Sequence, residues 1–206
     1  RLVHNAGGQA EISLIPGSRL LSSLHDKARQ LALASFQKRH IAVKEGVRLQ
    51  SFTQGVAELS DGTSIESDLL FMAVGIKPSP IFTVSGVSTG EDGGLLVNEY
   101  LQSVEYPEMF GGGDCISFQP HPLTKIGIYA VRQNPILLHN LLAALNDTPY
   151  QKFTPQTSFM LLLNMGDGTA IFVRNSWVWS GKLAFSLKNY IDTTFMKKFQ
   201  VSGERG

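Results

Sequence analysis

The feature that most constrains this 206-residue chain is the run Tyr106-Pro107-Glu108-Met109-Phe110-Gly111-Gly112-Gly113-Asp114-Cys115, followed by a helix-like stretch over residues 125–145. Met109 and Phe110 read as a buried strand feeding three glycines. Glycines let a ligand approach the backbone, and Asp114 offers a carboxylate that accepts hydrogen bonds from hydroxyl groups. The helix behind aims the positive end of its dipole at the same place, which suits a phosphate or an electron-rich ring. The pattern points to nucleotide or flavin binding; taken alone, these four residues also fit a plain glycine-rich turn with a solvated Asp.

Composition narrows the classes. A hydrophobic content of 43% with nine prolines is ordinary for a chain with a proper core. The net charge of +1, with no run of five basic residues, offers no field for nucleic acid, so no nucleic acid is expected as a partner. One cysteine rules out an internal disulfide, a CxxC redox pair and a cysteine zinc site within the chain, and fits a reducing compartment. No metal site is expected. No stretch approaches the ~18 consecutive apolar residues of a membrane span. With no signal peptide and no initiator Met, and with Arg1-Leu2-Val3-His4 resembling the tail of a helix, the chain reads as a fragment of a longer protein.

Along the chain, Ala10, Ile12, Leu14 and Ile15 mark a strand that Pro16-Gly17-Ser18 breaks. A helix is expected over residues 26–38, capped by Ser22 or Ser23, with Ala28, Leu31, Ala32 and Phe36 at helical spacing. Short strands follow at 41–43 and 48–52. Residues 56–65 form a hairpin around Asp61-Gly62. The apolar run 69–74, ending at Gly75, reads as a strand buried on both faces. Strand, helix, strand, hairpin and buried strand together read as the remainder of a nucleotide-binding α/β domain. An acid after the second strand of such a domain favours NAD, and an Arg favours NADP. Here Ile15-Pro16-Gly17-Ser18-Arg19 carries no acid, and Arg19 is either solvated or a phosphate acceptor, so the nicotinamide preference stays open. Later, Leu95-Leu96-Val97-Asn98 is a strand, and Pro135 is expected to kink or break the helix near Gln133-Asn134.

Leu101-Gln102-Ser103, Tyr106-Pro107-Glu108-Met109-Phe110, Gly113-Asp114-Cys115 and Lys125-Ile126-Gly127-Ile128-Tyr129-Ala130-Val131-Arg132-Gln133 resemble the second FAD-binding motif of pyridine nucleotide-disulfide oxidoreductase-type flavoproteins. Met72-Ala73-Val74-Gly75-Ile76-Lys77-Pro78 resembles the family's turn out of its NAD-binding domain. The resemblance implies an α/β fold holding partial NAD-binding and FAD-binding Rossmann-like portions with a small C-terminal α+β domain. Its expected divisions are residues 1–78, 79–148 and 149–206. It also implies FAD and NAD(P)H as cofactors and a cofactor site at Gly113, Asp114, Lys125, Ile126, Gly127, Ala130 and Gly75. Asp114 would bond the ribityl chain, and the turn at 125–130 would face the isoalloxazine. The Gly-x-Gly-x-x-Gly loop of the NAD portion does not occur in this chain.

Beyond residue 153, the stretches 159–163 and 169–173 read as a hairpin. Trp177 and Trp179 follow, then a helix over 182–199 with Leu183, Leu187, Tyr190, Ile191, Thr194, Phe195 and Lys198 along one side. That stripe packs on the hairpin or lies on a membrane surface. Trp177-Val178-Trp179, Lys188-Asn189-Tyr190-Ile191-Asp192 and Phe195-Met196-Lys197-Lys198-Phe199 resemble type II NADH dehydrogenase-like flavoproteins, closest to the branch fused to a selenide, water dikinase domain.

The resemblance implies an FAD-dependent NAD(P)H oxidoreductase passing hydride from nicotinamide to flavin and electrons to a quinone or other acceptor. It would be cytoplasmic or peripheral on the inner face of a membrane, and inactive as this chain alone. Ile128 and Arg132 stand where respiratory members carry glutamines thought to meet the quinone, so the acceptor is open. The alternative is a non-enzymatic or regulatory module that keeps the fold without the cofactor.

Overall fold

The computed structural model describes residues 7, 8 and 10–199, with side chains as far as Lys197. The chain forms two compact units: one built from the residues up to Leu70 together with those from Ser158 onward, the other Phe71–Thr157. The stretch expected to be a separate C-terminal domain thus shares a unit with the N-terminal residues. The expected helix tail at residues 1–4 lies outside the described residues.

In the first unit, β1 (Ile12–Leu14), α1 (Asp26–Lys38) and β2 (Ile41–Val43) form a parallel βαβ unit with Ile12 opposite Ile41 and Leu14 opposite Val43. The helix forms where its apolar spacing placed it. Its N-cap is His25, whose Nδ1 accepts from the Lys27 N–H at 3.2 Å, and not Ser22 or Ser23. The antiparallel sheet β3 (Leu49–Thr53), β4 (Val56–Leu59) and β5 (Ser64–Glu66) follows. Its Asp61-Gly62 turn is closed by Asp61 Oδ1, which accepts from the Thr63 N–H at 3.0 Å and from the Thr63 hydroxyl at 2.7 Å.

Strands β8 (Leu161–Asn164), β9 (Ala170–Arg174) and β10 (Trp177–Gly181) form the other antiparallel sheet, followed by helix α4 (Lys182–Phe199). Ala28 and Ala32 of α1, completely or almost completely buried, pack with Met165, Ile171, Val173 and Val178. This joint core explains why the two ends of the sequence share a unit: each sheet is too small to bury its apolar face alone. Arg39 adds a polar tie, donating to the Ser35 carbonyl at 3.1 Å and to the Met165 carbonyl. Helix α4 packs across all three strands with Ala184 fully buried. The expected single stripe splits: Leu187 and Ile191 are half-buried, whereas Leu183 and Tyr190 are 78% and 71% exposed. The side chain of Lys198 lies outside the described residues.

Residues 69–74 are not a buried strand. Phe71 is 85% exposed and Val74 83%, and no strand is assigned there. A strand buried on both faces needs ladder partners on both edges. Among the described residues the parallel sheet stops at β1 and β2, so the run has nothing to join.

The second unit holds α2 (Ile81–Val84), β6 (Leu95–Val97), β7 (Ile116–Phe118) and α3 (Gly127–Asn146). Strands β6 and β7 pair in parallel, Leu95 with Ile116 and Val97 with Phe118. The buried strand therefore lies after the glycines; Met109 and Phe110 are only half-buried, with one bridge from Phe110 to Gln102. Leu95, Val97, Leu101, Ile116, Phe118 and Phe153 form the core, closed by Ile136 and Leu137 of α3.

Helix α3 runs through Pro135 without a break. Proline costs it the bond to the Val131 carbonyl, on a face where both residues are exposed. Buried side chains clamp it on either side of that gap. Gln133 accepts from the Gly113 N–H. Asn140, fully buried, donates to the carbonyls of Tyr100 (2.7 Å) and Gln151 (2.9 Å) and accepts from the Gln151 N–H (2.7 Å). Asn140→Ala leaves two carbonyls and one N–H without their partner, and is expected to destabilise the protein by about 3 kcal/mol in chemical denaturation. A loss below about 1 kcal/mol would show that water replaces the amide.

Candidate functional site

Three glycines let the chain pass close to its neighbours between Phe110 and β7. A Cβ on Gly111 would stand 2.7 Å from Ile116 Cγ2, and Gly113 adopts φ +73°, the left-handed region that glycine enters freely. Residues 113–115 then make a single 3₁₀ turn into β7. The Gly113 N–H donates to Gln133 Oε1 at 2.6 Å, and the same residue abuts Ala130, 3.4 Å from where its Cβ would be. The glycine turn is thereby fastened to the first two turns of α3.

Against this junction lies a shallow, open cleft lined by the polar Gly113, Asp114, Lys125, Tyr129 and Gln133 and by the apolar Ile116, Phe118 and Leu123. Asp114 is half-buried, and its carboxylate has no hydrogen-bond partner among the described residues. A shielded carboxylate without a donor is an open acceptor for hydroxyl groups. Tyr129 directs its hydroxyl to the Gln156 carbonyl at 3.5 Å. Ile126, extended, is the N-cap of α3 and provides no side-chain cap bond, and Gly127 opens the helix with nothing against its Cα face.

Of the residues expected at a cofactor site, Gly113, Asp114 and Lys125 line the cleft. Ala130 touches it through Gly113, and Ile126 and Gly127 follow directly on its wall. Gly75, at φ +91° in an exposed stretch, does not line it. Lys125 is committed elsewhere: its ammonium lies 2.8 Å from Asp92 Oδ2 and donates to the Ile116 carbonyl. Asp92 also accepts from the Gly94 N–H at 3.0 Å and from the Ser117 hydroxyl. Partial burial pushes the Asp92 carboxyl up, but the bonds from Lys125, Ser117 and Gly94, with the lysine charge, outweigh it and hold it at about 2.

Gln133 and Asp92 were not foreseen as parts of this site. A glutamine within the apolar stripe of a helix was the available signal for the first; nothing local marks the second. Cys115 is exposed and turned to the Gly112 carbonyl, 3.1 Å away. Among the described residues no group of three or more His, Cys, Asp or Glu could hold a metal.

A carboxyl held below its unfolded value of 3.8 stabilises the fold above that pH, and the contribution disappears as pH falls toward about 2. With the Asp92 side chain 43% exposed, solvent screening limits it to under about 1 kcal/mol. Lys125→Met is expected to return the Asp92 titration, followed by carboxyl NMR, toward or above 3.8 and to move acid unfolding to higher pH. An unmoved titration would show that Ser117 and Gly94 suffice.

Comparison with known proteins agrees with this architecture. The sequence signature described as pyridine nucleotide-disulphide oxidoreductase matches residues 4–138. Ferroptosis suppressor protein 1 of Taeniopygia guttata is 24% identical over 98% of this chain, which spans 53% of that protein. The sulfide:quinone oxidoreductase of the hyperthermophilic bacterium Aquifex aeolicus superposes with a TM-score of 0.73 at 16% identity, covering 96% of this chain and 52% of its own. A water-forming NADH oxidase from Lactobacillus brevis, bound to NADH, superposes at 0.61 with 19% identity, over 80% of this chain and 37% of its own. The chain thus spans about half the length of the first two.

Proposed function

Because this chain belongs to the pyridine nucleotide-disulphide oxidoreductase family, whose cofactors are FAD and NAD(P)H, we propose that the protein is an FAD-dependent NAD(P)H oxidoreductase and that the cleft at Asp114 is part of its flavin site. The observation that carries this reading is the half-buried Asp114 carboxylate, unpartnered in the cleft wall beside three residues without side chains. Those residues fit a ribityl chain: Asp114 accepts its hydroxyl hydrogens, and Gly113 brings the backbone close without a side chain in the way. The first turn of α3, from Ile126 and Gly127 to Ala130, directs N–H groups and the positive helix end toward an anionic reduced ring. Lys125 acts through position, holding β7 to the Asp92 turn. The bound flavin would supply hydride acceptance, and the nicotinamide nucleotide would be the donor.

The acceptor in this reading is a quinone or another small oxidant. A dithiol acceptor site built from this chain alone is excluded by its one cysteine. Among the described residues no helix is long and apolar enough to cross a membrane. Peripheral contact is supported by the exposure of Trp177 (76%), Leu183 and Tyr190. The Trp177-Val178-Trp179 pattern supports the branch fused to selenide, water dikinase. This chain alone is expected not to turn over NAD(P)H.

Full-length protein should be yellow, with flavin absorbance that follows FAD occupancy. Colourless protein that FAD fails to stabilise would instead favour a module that keeps the fold without the cofactor. Asp114→Ala should weaken FAD binding by about 1.5–3 kcal/mol, or roughly 10-fold to 150-fold in Kd. Unchanged occupancy would remove Asp114 from the site.

A further inference from the structure

Gln133 of α3 is 2% exposed, yet it lines the cleft beside Asp114. Its carboxamide is oriented by what it meets. The Gly113 N–H is a donor and must face oxygen, so the atom 2.6 Å from it is Oε1, and the nitrogen is the other branch of the same planar group. Among the described residues that nitrogen makes no hydrogen bond. Arg29 Nε and Gln156 Nε2 also lack a partner and are sealed from solvent, whereas Gln133 Nε2 is not sealed. It is therefore the part of a buried side chain that reaches open space, and the space that Gln133 borders is the cleft.

The cleft thus presents an acceptor, the Asp114 carboxylate, and a donor, the Gln133 amide, neither of them consumed by the fold. A hydroxyl group both donates and accepts, so a site offering one of each satisfies it in full. A phosphate would be repelled by Asp114, and an apolar ligand would leave both groups unpaired. Resting on the flavin reading above, we propose that Gln133 is a binding residue for FAD, its amide donating to the oxygen of the same ribityl hydroxyl whose hydrogen Asp114 accepts. One carboxamide then performs two tasks: its oxygen sets the glycine turn and its nitrogen grips the polyol. A ligand without that hydroxyl would strand a carboxylate and an amide together, which makes the pair a device for selecting a polyol.

The test titrates FAD by calorimetry into full-length wild type and Gln133→Glu from about pH 5 to about pH 8.5. Burial and the Asp114 charge raise the introduced carboxyl, so at the acid end it is protonated and offers both a carbonyl and a donor, as the amide does. At the alkaline end it still accepts from Gly113, more strongly than the amide, and can no longer donate. The variant should therefore bind FAD nearly as well as the wild type in acid and ~10-fold or more weakly in alkali. The wild type carries the other ionisable groups of the cleft, Asp114, Lys125 and Tyr129, so its own profile accounts for them. FAD analogues that each lack one ribityl hydroxyl complete the test. For one of them the alkaline loss should disappear, because the bond is already missing; a loss shared by all of them is charge repulsion and overturns the proposal. If Gln133→Glu does not fold, the wild type is titrated with the same analogues. One should then bind more weakly than FAD by a larger factor than Asp114→Ala costs, since its hydroxyl makes both bonds, and a loss no larger than that overturns the proposal. FAD affinity of Gln133→Glu that tracks the wild type at every pH confines Gln133 to the turn and overturns this inference while the flavin reading stands. Failure of the wild type to bind FAD at any pH overturns both.

Discussion

The bond from the Gly113 N–H to Gln133 Oε1, 2.6 Å long, joins the two parts of the second unit on which everything near the cleft depends. One end is a left-handed glycine that only a residue without a Cβ enters at no cost; the other is a glutamine almost wholly withdrawn from water. A buried amide is tolerated because the backbone donor meets it, and the backbone turns as it does because the amide is there. Strand β7, the exit of that turn, then inherits its register against β6. Asp114 is carried at the middle of the same short path, so its carboxylate is placed by backbone geometry with no side-chain partner of its own.

Charge is used sparingly and in the same manner in both units. Glu45 and Asp92 are each drawn into short sets of bonds that tie a loop to a strand end: Arg29 and the Leu20 N–H in one, Lys125, Ser117 and the Gly94 N–H in the other. These carboxylates serve structure, and that is why the neighbouring groups left without partners, Asp114 in the second unit and Arg48 in the first, stand out chemically. An ionisable side chain that the fold does not consume is available to a ligand.

Much of the local architecture was legible. Helix α1 announced itself by Ala28, Ala32 and Phe36 at four-residue spacing, and the Asp61-Gly62 turn by residues that need no tertiary help. The errors share one cause: apolar sequence reports a wish for burial, not the partner that supplies it. Residues 69–74 have the composition of a central strand and no ladder to join. Ile116-Ser117-Phe118 is a buried strand too short to show a period. In β10 the small Val178 turns inward while Trp177 is left 76% exposed, the reverse of what size suggests. At the cleft, the glycines and Asp114 could be read because their chemistry is local. Lys125 was named from the same stretch, but its pairing with Asp92 was not legible, since that aspartate lies far before it in the chain.

Helix α3 carries a last consequence of being clamped by Gln133 and Asn140 along one side only. Leu138, Leu142 and Leu145, 59%, 51% and 82% exposed, are left on its outer face. Their side chains contribute less to folding than buried leucines do, because half or more of their surface stays in water. In concentrated solution, however, such a row invites self-association whose strength grows with temperature and salt, as the contacts it forms are hydrophobic. Because the fold of the helix is secured on its other side, substitutions along 138–145 can alter the solubility of this chain while leaving its native structure intact.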